Sequence, residues 1–336
     1  MAKFDVVVIG ASAGGVGFLQ RVVERLPPRF PAAVFVALHL PDGVRSMLPA
    51  ILERAGPLKV SHPENGERIR RGRIYVAPPG FHLTLEAGRM RVTRGAREHG
   101  LRPAIDPLFR SAALVFGPRV IGVVLSGLLD DGTVGLKEIK RAGGVAVVQD
   151  PSETPWPSMP ESALAHVAVD YKVSASEIGE LLETLVASGD ASAVGRPMDE
   201  DLEKEVNELT MHEDERDHPG EPSPYSCPEC GGVLWELQDG EMLRFRCRVG
   251  HAYTSETLTS EQATAVEHAL WSALRALEEQ AAVRRRIGQR MRRLGHHSSA
   301  AKFEQRVVEL EAQAQSVRDL LMTGVGAKQE ADAETR

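Results

Sequence analysis

Cysteine is scarce in this chain: 336 residues hold three, an odd number, so no disulfide framework accounts for them. Basic charge is not in excess either. Lys and Arg number 40 against 47 Asp and Glu, a formal net charge of −7, which argues against nucleic acid as the main partner. No apolar run approaches the roughly 18–20 residues that a membrane span needs. The opening "MAKFDVVVIG" places Asp5 just after Lys3 and has no small-residue cleavage pattern behind a long apolar core. It reads as a first strand rather than an export signal. These absences lead to the expectation of a cytoplasmic protein without membrane insertion, whose cysteines serve a metal in a reducing compartment.

What is present is an ordinary soluble composition, 42% hydrophobic and 26% charged, long enough for one sizeable core and something smaller. Residues 1–190 alternate short apolar runs with amphipathic segments. Strands are predicted at 4–9, 33–38, 73–77, 120–126 and 144–149, with helical patterns at 16–26, 106–116, 133–143 and 175–187. Buried β runs separated by helices imply an α/β fold, a doubly wound, mostly parallel sheet. "HLTLEAGRMRVTR" (82–94), split by Ala87-Gly88, reads instead as an inserted β-hairpin.

Beyond residue 190 the composition shifts. Residues 198–222 contain eleven Asp and Glu against two Lys and Arg, so 191–222 reads as a solvated acidic linker. A compact segment follows at 223–257, then a helical hairpin at 258–324 and a disordered tail at 325–336. In the second helix Phe303, Val307, Leu310, Ala314, Val317 and Leu321 repeat at 4-3-4-3-4 spacing, a heptad seam for packing within the chain or against a signalling partner.

Cys227-x2-Cys230-x16-Cys247-x3-His251 uses every cysteine of the chain. Two ligands on each of two tight turns make the Cys3His set of a tetrahedral structural zinc, in a zinc-ribbon-like segment. Four protein ligands leave no open position for catalysis by the metal.

The first strand runs into "VIGASAGG" (8–15), a glycine-rich turn before a helix. Such a turn cradles a dinucleotide phosphate or presents a nucleophile. Ser12 stands where the dinucleotide fingerprint needs its second glycine, and the second strand ends in His39 rather than an acid. Gly10-Ala-Ser12-Ala-Gly14 does fit Gly-x-Ser-x-Gly, with the N–H of Ala13 pointed at any oxyanion formed beside Ser12. His39 has an ordinary structural use, and Asp130 or Asp131 could cap the helix near Thr133. Yet Ser12, His39 and the Asp pair all follow the carboxyl ends of parallel strands, the edge where open α/β sheets place their sites.

"VIGASAGG", "ALHLP", "IYVAPPGFHLTL", "RPAIDPLFRSAA", "VVLSGLLDDGTVG", "GGVAVVQDP" and "MPESAL" occur in one order. Through them residues 1–190 resemble the catalytic domain of the chemotaxis receptor methylesterases, the CheB-type protein-glutamate methylesterases. The resemblance implies a serine esterase with Ser12 as nucleophile, His39 as base and Asp131, not Asp130, as its orienter. It implies oxyanion donors at the backbone of Ala13 and near Leu128, where relatives often hold Thr and Met. It implies hydrolysis of γ-glutamyl methyl esters on methyl-accepting receptor proteins, giving glutamate and methanol without a catalytic cofactor, and leaves room for glutamine deamidation. His82 and Met159 lie in family-like segments and are candidates for the substrate cleft; for His82 a structural hydrogen bond is the plainer use. Arg102 and Arg110 could meet an acidic substrate helix or pair with local acids. The family commonly carries a receiver domain before the catalytic one, and this sequence opens at the first catalytic-domain strand. Control by phosphorelay in cis is therefore expected to be absent. The competing reading is a non-catalytic docking module whose esterase-like domain and zinc segment bind signalling proteins.

Overall fold

A computed structural model describes residues 4–40, 43, 46–188, 202, 206, 220–239 and 242–323. They form two compact units, residues 1–258 and 259–336. The first is built on seven strands in the order β3-β4-β2-β1-β7-β8-β9. These are β1 (Val6–Ala11), β2 (Ala33–Leu38), β3 (Lys59–Ser61), β4 (Arg73–Val76), β7 (Val120–Val124), β8 (Val145–Gln149) and β9 (Tyr171–Val173). Every pairing between them is parallel. The predicted parallel α/β sheet is present, and its short edges β3 and β9 are the strands the sequence patterns left out.

Helices cover both faces because every residue of β1 and β2 is buried. Val7, Ile9 and Ala11 point into one core, shared with Phe18 and Leu19 of α1 (Gly15–Glu24), Leu52 of α2 (Leu48–Ala55) and Leu182 of α6 (Ala175–Ser188). Val6 and Val8 point into the other. There they meet Ile105 and Phe109 of α3 (Ile105–Phe116), Leu136 of α4 (Thr133–Arg141) and Met159 of α5 (Ser158–His166). This alternation is the period-2 geometry of a strand buried on both sides. The hairpin, β5 (His82–Glu86) and β6 (Arg89–Thr93), lays Leu83, Leu85 and Met90 onto the second core.

Among the described residues of the acidic stretch, Leu202 is buried in the second core and Val206 packs against it, which a wholly solvated linker would not do. The rest of 191–219 and the tail 325–336 lie outside the described residues.

Still within the first unit, β10 (Glu221–Ser226), β11 (Val233–Asp239), β12 (Met242–Cys247) and β13 (Ala252–Thr254) form an antiparallel sheet in chain order. Leu234, Phe245, Tyr253 and Leu258 give it a small core with Cys227 and Cys247. Helix α7 (Ser255–Arg293) has its first turn in the first unit; in the second, its residues from 259 on pair with α8 (His297–Thr323) through the heptad seam, with Val307 and Leu310 packed on Ala281 and Leu277. None of the helices among the described residues is long and apolar enough to cross a membrane.

Candidate active site and cysteine cluster

The chain winds one way from β1 through β2 to β4 and returns to β7 on the other side, so β1 sits at the switch between the two halves of the sheet. At that place loops diverge and leave a crevice at the carboxyl ends of the strands. Parallel register pairs Ala11 with Leu38, the last partners of β1 and β2. The next residues are Ser12 and His39, held by His39 N–H donating to the Ala11 carbonyl (3.1 Å) and Ser12 N–H to the Ser126 carbonyl (2.9 Å). Ser12 and His39 thus follow the paired ends of two adjacent strands. Gly127 tightens the turn: a Cβ there would lie 2.0 Å from Met159 Sδ and 2.6 Å from Ser12 Cβ. Gly14, with φ 72, starts α1 in the left-handed region, and a Cβ on it would meet the Trp156 ring at 2.6 Å.

Asp131 hangs in the loop between β7 and α4. Its Oδ2 lies 2.7 Å from His39 Nε2 and accepts the Ile105 N–H, also at 2.7 Å, while Oδ1 accepts the Asp106 N–H at 3.0 Å. Burial works to raise this carboxyl. The nearby His99 charge and the bond to His39 outweigh it, and the group is held well below the usual carboxylate range. The nitrogen of His39 turned to Asp131 is Nε2, not Nδ1. Asp130 plays a different part. Burial pushes its carboxyl up to about 6, and it accepts the Thr254 hydroxyl at 3.0 Å.

Among the described residues no acceptor takes the backbone N–H of Ala13 or Leu128. The Leu128 side chain is exposed, and Leu129 beside it has φ 61. The structure does not place His82 or Met159 on an open cleft. Both are 0% exposed. His82 donates from Nε2 to the Ala96 carbonyl (2.9 Å) and accepts the Ala104 N–H at Nδ1 (3.3 Å); burial lowers its pKa. Met159 packs under Gly127, where it supports the turn. Arg110 is buried on Glu98 with Nη2 2.6 and 2.7 Å from the two carboxylate oxygens, whereas Arg102 bonds the Gly95 carbonyl at 2.7 Å.

Residues that sequence reasoning missed surround Asp131. Asp106 Oδ1 accepts the N–H groups of Gly132 (3.1 Å) and Gly135 (2.7 Å), fixing the start of α4. His99 lies 3.0 Å from Asp106 Oδ2. No local motif marks either one. The pattern Thr254-x-x-Thr257 at the start of α7 is a capping signal, but it does not say what else its hydroxyls hold.

The four cysteine-cluster residues converge, their ligand atoms all within 4.8 Å of one another. Two knuckles present them: Gly231 N–H donates to the Cys227 carbonyl (2.8 Å) and Gly250 N–H to the Cys247 carbonyl (2.9 Å). Zinc–sulfur and zinc–nitrogen bonds at a tetrahedral centre imply S···S edges of about 3.8 Å and S···N edges of about 3.6 Å. The chain shows 3.7 Å from Cys230 Sγ to Cys247 Sγ, and 3.6 and 3.4 Å from His251 Nδ1 to Cys227 Sγ and Cys247 Sγ. His251 Nε2 lies 3.1 Å from Glu229, the outer carboxylate that orients a ligating imidazole. The hydrogen bond between the two thiols pulls Cys227 down and pushes Cys247 up; a bound cation would let both be thiolates. These residues fit zinc.

Comparison with known proteins agrees with the geometry. The CheB methylesterase family model matches residues 7–182. A protein-glutamate methylesterase/protein-glutamine glutaminase of Anaeromyxobacter dehalogenans is 39% identical over 184 residues, 55% of this chain and 54% of that one. A Leptospira interrogans protein, provisionally given the same double name, is 38% identical over 180 residues, 53% of this chain and 93% of that one. The crystal structure of the Thermotoga maritima CheB methylesterase catalytic domain superposes with a TM-score of 0.53 at 34% identity, covering 55% of this chain and 99% of that domain.

Proposed function

The chain belongs to the CheB methylesterase family, and from that premise we propose that Ser12, His39 and Asp131 are the triad of a protein-glutamate methylesterase acting on methyl-accepting receptor proteins. The observation that supports the assignment best is the 2.7 Å bond between His39 Nε2 and Asp131, with Ser12 following the end of β1 as His39 follows the end of its partner strand β2.

The steps follow from the atoms. Asp131 fixes the imidazole with a proton on Nε2, so Nδ1 takes the proton of Ser12 as Oγ attacks the ester carbonyl. The oxyanion meets the N–H groups of Ala13 and Leu128, each contributing about 2.7–4 kcal/mol when aligned. Collapse returns the His39 proton to the leaving oxygen and methanol departs. Water, deprotonated by His39, then clears the acyl-enzyme and leaves glutamate. A glutamine side chain entering the same site would release ammonia instead. None of these steps requires a cofactor.

The cysteine cluster is proposed to bind a structural zinc through Cys227, Cys230, Cys247 and His251 in a zinc-ribbon-like segment over 223–257. It closes that segment's two knuckles and supplies no chemistry to the ester. Residues 1–190 are proposed as the catalytic domain, 191–222 as a linker docked at Leu202, and 258–324 as a helical hairpin open to a signalling partner. A cytoplasmic location fits this substrate class.

The test is methanol release from methylated receptor membranes. Wild type should release it and Ser12→Ala should not. Equal release by both, or none by wild type over several receptors, would remove the esterase reading.

A further inference from the structure

A chain of buried polar side chains leads from the proposed triad to the first turn of α7. His99, in the loop before α3, has Nε2 3.0 Å from Asp106 Oδ2 and 3.7 Å from Asp131 Oδ1. Its Nδ1 lies 3.0 Å from the Thr257 hydroxyl. Thr254 and Thr257 cap α7 reciprocally: Thr254 N–H donates to Thr257 Oγ1 (2.9 Å) and Thr257 N–H to Thr254 Oγ1 (3.2 Å). The Thr254 hydroxyl then donates to Asp130. The backbone follows the same route, with His99 N–H donating to the Ala252 carbonyl at 2.7 Å beside β13. Every side chain in this path is buried, and His99 holds φ 55, a conformation uncommon outside Gly, Asn and Asp.

We propose that His99 is a positioning residue for the hydrolysis, and that the cysteine-bearing segment holds it in place through Thr257, making that segment part of the support of Asp131. The inference rests on Asp131 being the acid of the triad.

The physical reason is charge. Asp106 and Asp131 are buried carboxylates whose oxygens face one imidazole nitrogen, and like charges that close repel. A cationic His99 beside Asp131 favours the ionised form of that carboxyl, which is then an acceptor for His39, while the same Nε2 bonds Asp106 Oδ2. Burial works to lower the His99 pKa, but Asp131 and Asp106 outweigh it and bring it to about 9. The groups facing it are Asp106 from α3, Asp130 and Asp131 from the loop before α4, and Thr257 from α7, with Glu256 acting on Asp130. Glu98 next to it is held by Arg110 and Arg246. A cation in place of this network is disfavoured. The oxygens of Asp131 already accept the Ile105 and Asp106 N–H groups, and Asp106 accepts those of Gly132 and Gly135.

The experiment compares wild type, His99→Gln, Thr257→Val and Thr264→Val as full chains in methanol release from methylated receptor membranes. Thr264 is a control, an exposed threonine whose hydroxyl bonds the Ser260 carbonyl within α7. For His99→Gln, kcat should fall on the order of ten- to a hundredfold with KM within about threefold, as when a group that orients a reacting residue is lost. Thr257→Val should fall in the same direction by less, and Thr264→Val should match wild type. Wild-type kcat in folded His99→Gln and Thr257→Val would overturn the proposal; if His99→Gln does not fold, Thr257→Val decides. A substrate-independent reading comes from imidazole nitrogen NMR of the wild type. His99 should be protonated on both nitrogens at neutral pH, and a neutral ring would overturn the proposal. If wild type releases no methanol, the esterase reading fails and the positioning role falls with it, while a doubly protonated His99 in the spectrum would still show the cation beside Asp131 and so tell the two failures apart.

Discussion

Replacing Asp131 by Asn tests the orientation of His39 at one atom pair. In the wild type Oδ2 accepts both His39 Nε2–H and Ile105 N–H, each at 2.7 Å, and Oδ1 accepts Asp106 N–H at 3.0 Å. An amide can accept on one side only. With its oxygen toward His39, its NH2 faces the Asp106 N–H, and a buried donor left unpaired costs about 1–3 kcal/mol. Turned the other way, it donates to Nε2, forces the proton onto Nδ1, and leaves His39 unable to take the proton of Ser12. The charge that stabilises the imidazolium is lost in both cases. A wrong tautomer of this kind lowers kcat about 10⁴-fold, or roughly 5.5 kcal/mol of barrier. Methanol release by Asp131→Asn should fall by that order with KM little changed and near-UV circular dichroism preserved. A variant within about tenfold of wild type would refute the assignment of Asp131 over Asp130, since a bare structural aspartate does not set a tautomer.

Stability should fall with rising pH through the titration of His99. Its folded pKa of about 9 lies above the ordinary histidine value of 6.5, so the contribution is whole below 6.5 and gone above 9. The linked loss is on the order of 3 kcal/mol, read by urea unfolding across that window, and His99→Gln should flatten the slope. Arg110→Ala leaves the buried Glu98 carboxylate with the more distant Arg246 at 3.8 Å, and should cost about 3 kcal/mol in the same assay. Purified protein should carry near-stoichiometric zinc. Chelation should lower the melting temperature and, through Thr257, methanol release; zinc-free native protein with full stability would contradict the site.

Much of the sheet was legible because its strands are apolar runs buried on both faces, as in "AVFVAL", which coincides with β2. The edges β3 and β9 have three residues each and carry too little pattern to be read. Ser12, His39 and the pair Asp130-Asp131 could be brought to one rim because parallel topology puts strand ends together, while the choice of Asp131 within the pair came from the family resemblance. The nitrogen of His39 that meets Asp131 could not be read, since it depends on the reach of a loop from β7. For His82 the structural hydrogen bond, the plainer of its two readings, is the one that holds, while the cleft is wrong for both His82 and Met159: segment identity says where a residue lies along the chain, not which way it points. The link from His99 to Thr257 was invisible because the two are 158 positions apart. The cysteine cluster was the plainest signal, three cysteines and a histidine at knuckle spacing, yet nothing in that spacing tied it to the loop that carries Asp131.

The most direct test of the central claim is hydrolysis of the methylated receptor in heavy-oxygen water, followed by mass spectrometry of the glutamyl peptide. Attack by Ser12 at the carbonyl predicts one heavy oxygen in the new glutamate carboxylate, unlabelled methanol, and neither product with Ser12→Ala. Label in the methanol, or undiminished ester loss by Ser12→Ala, would contradict it.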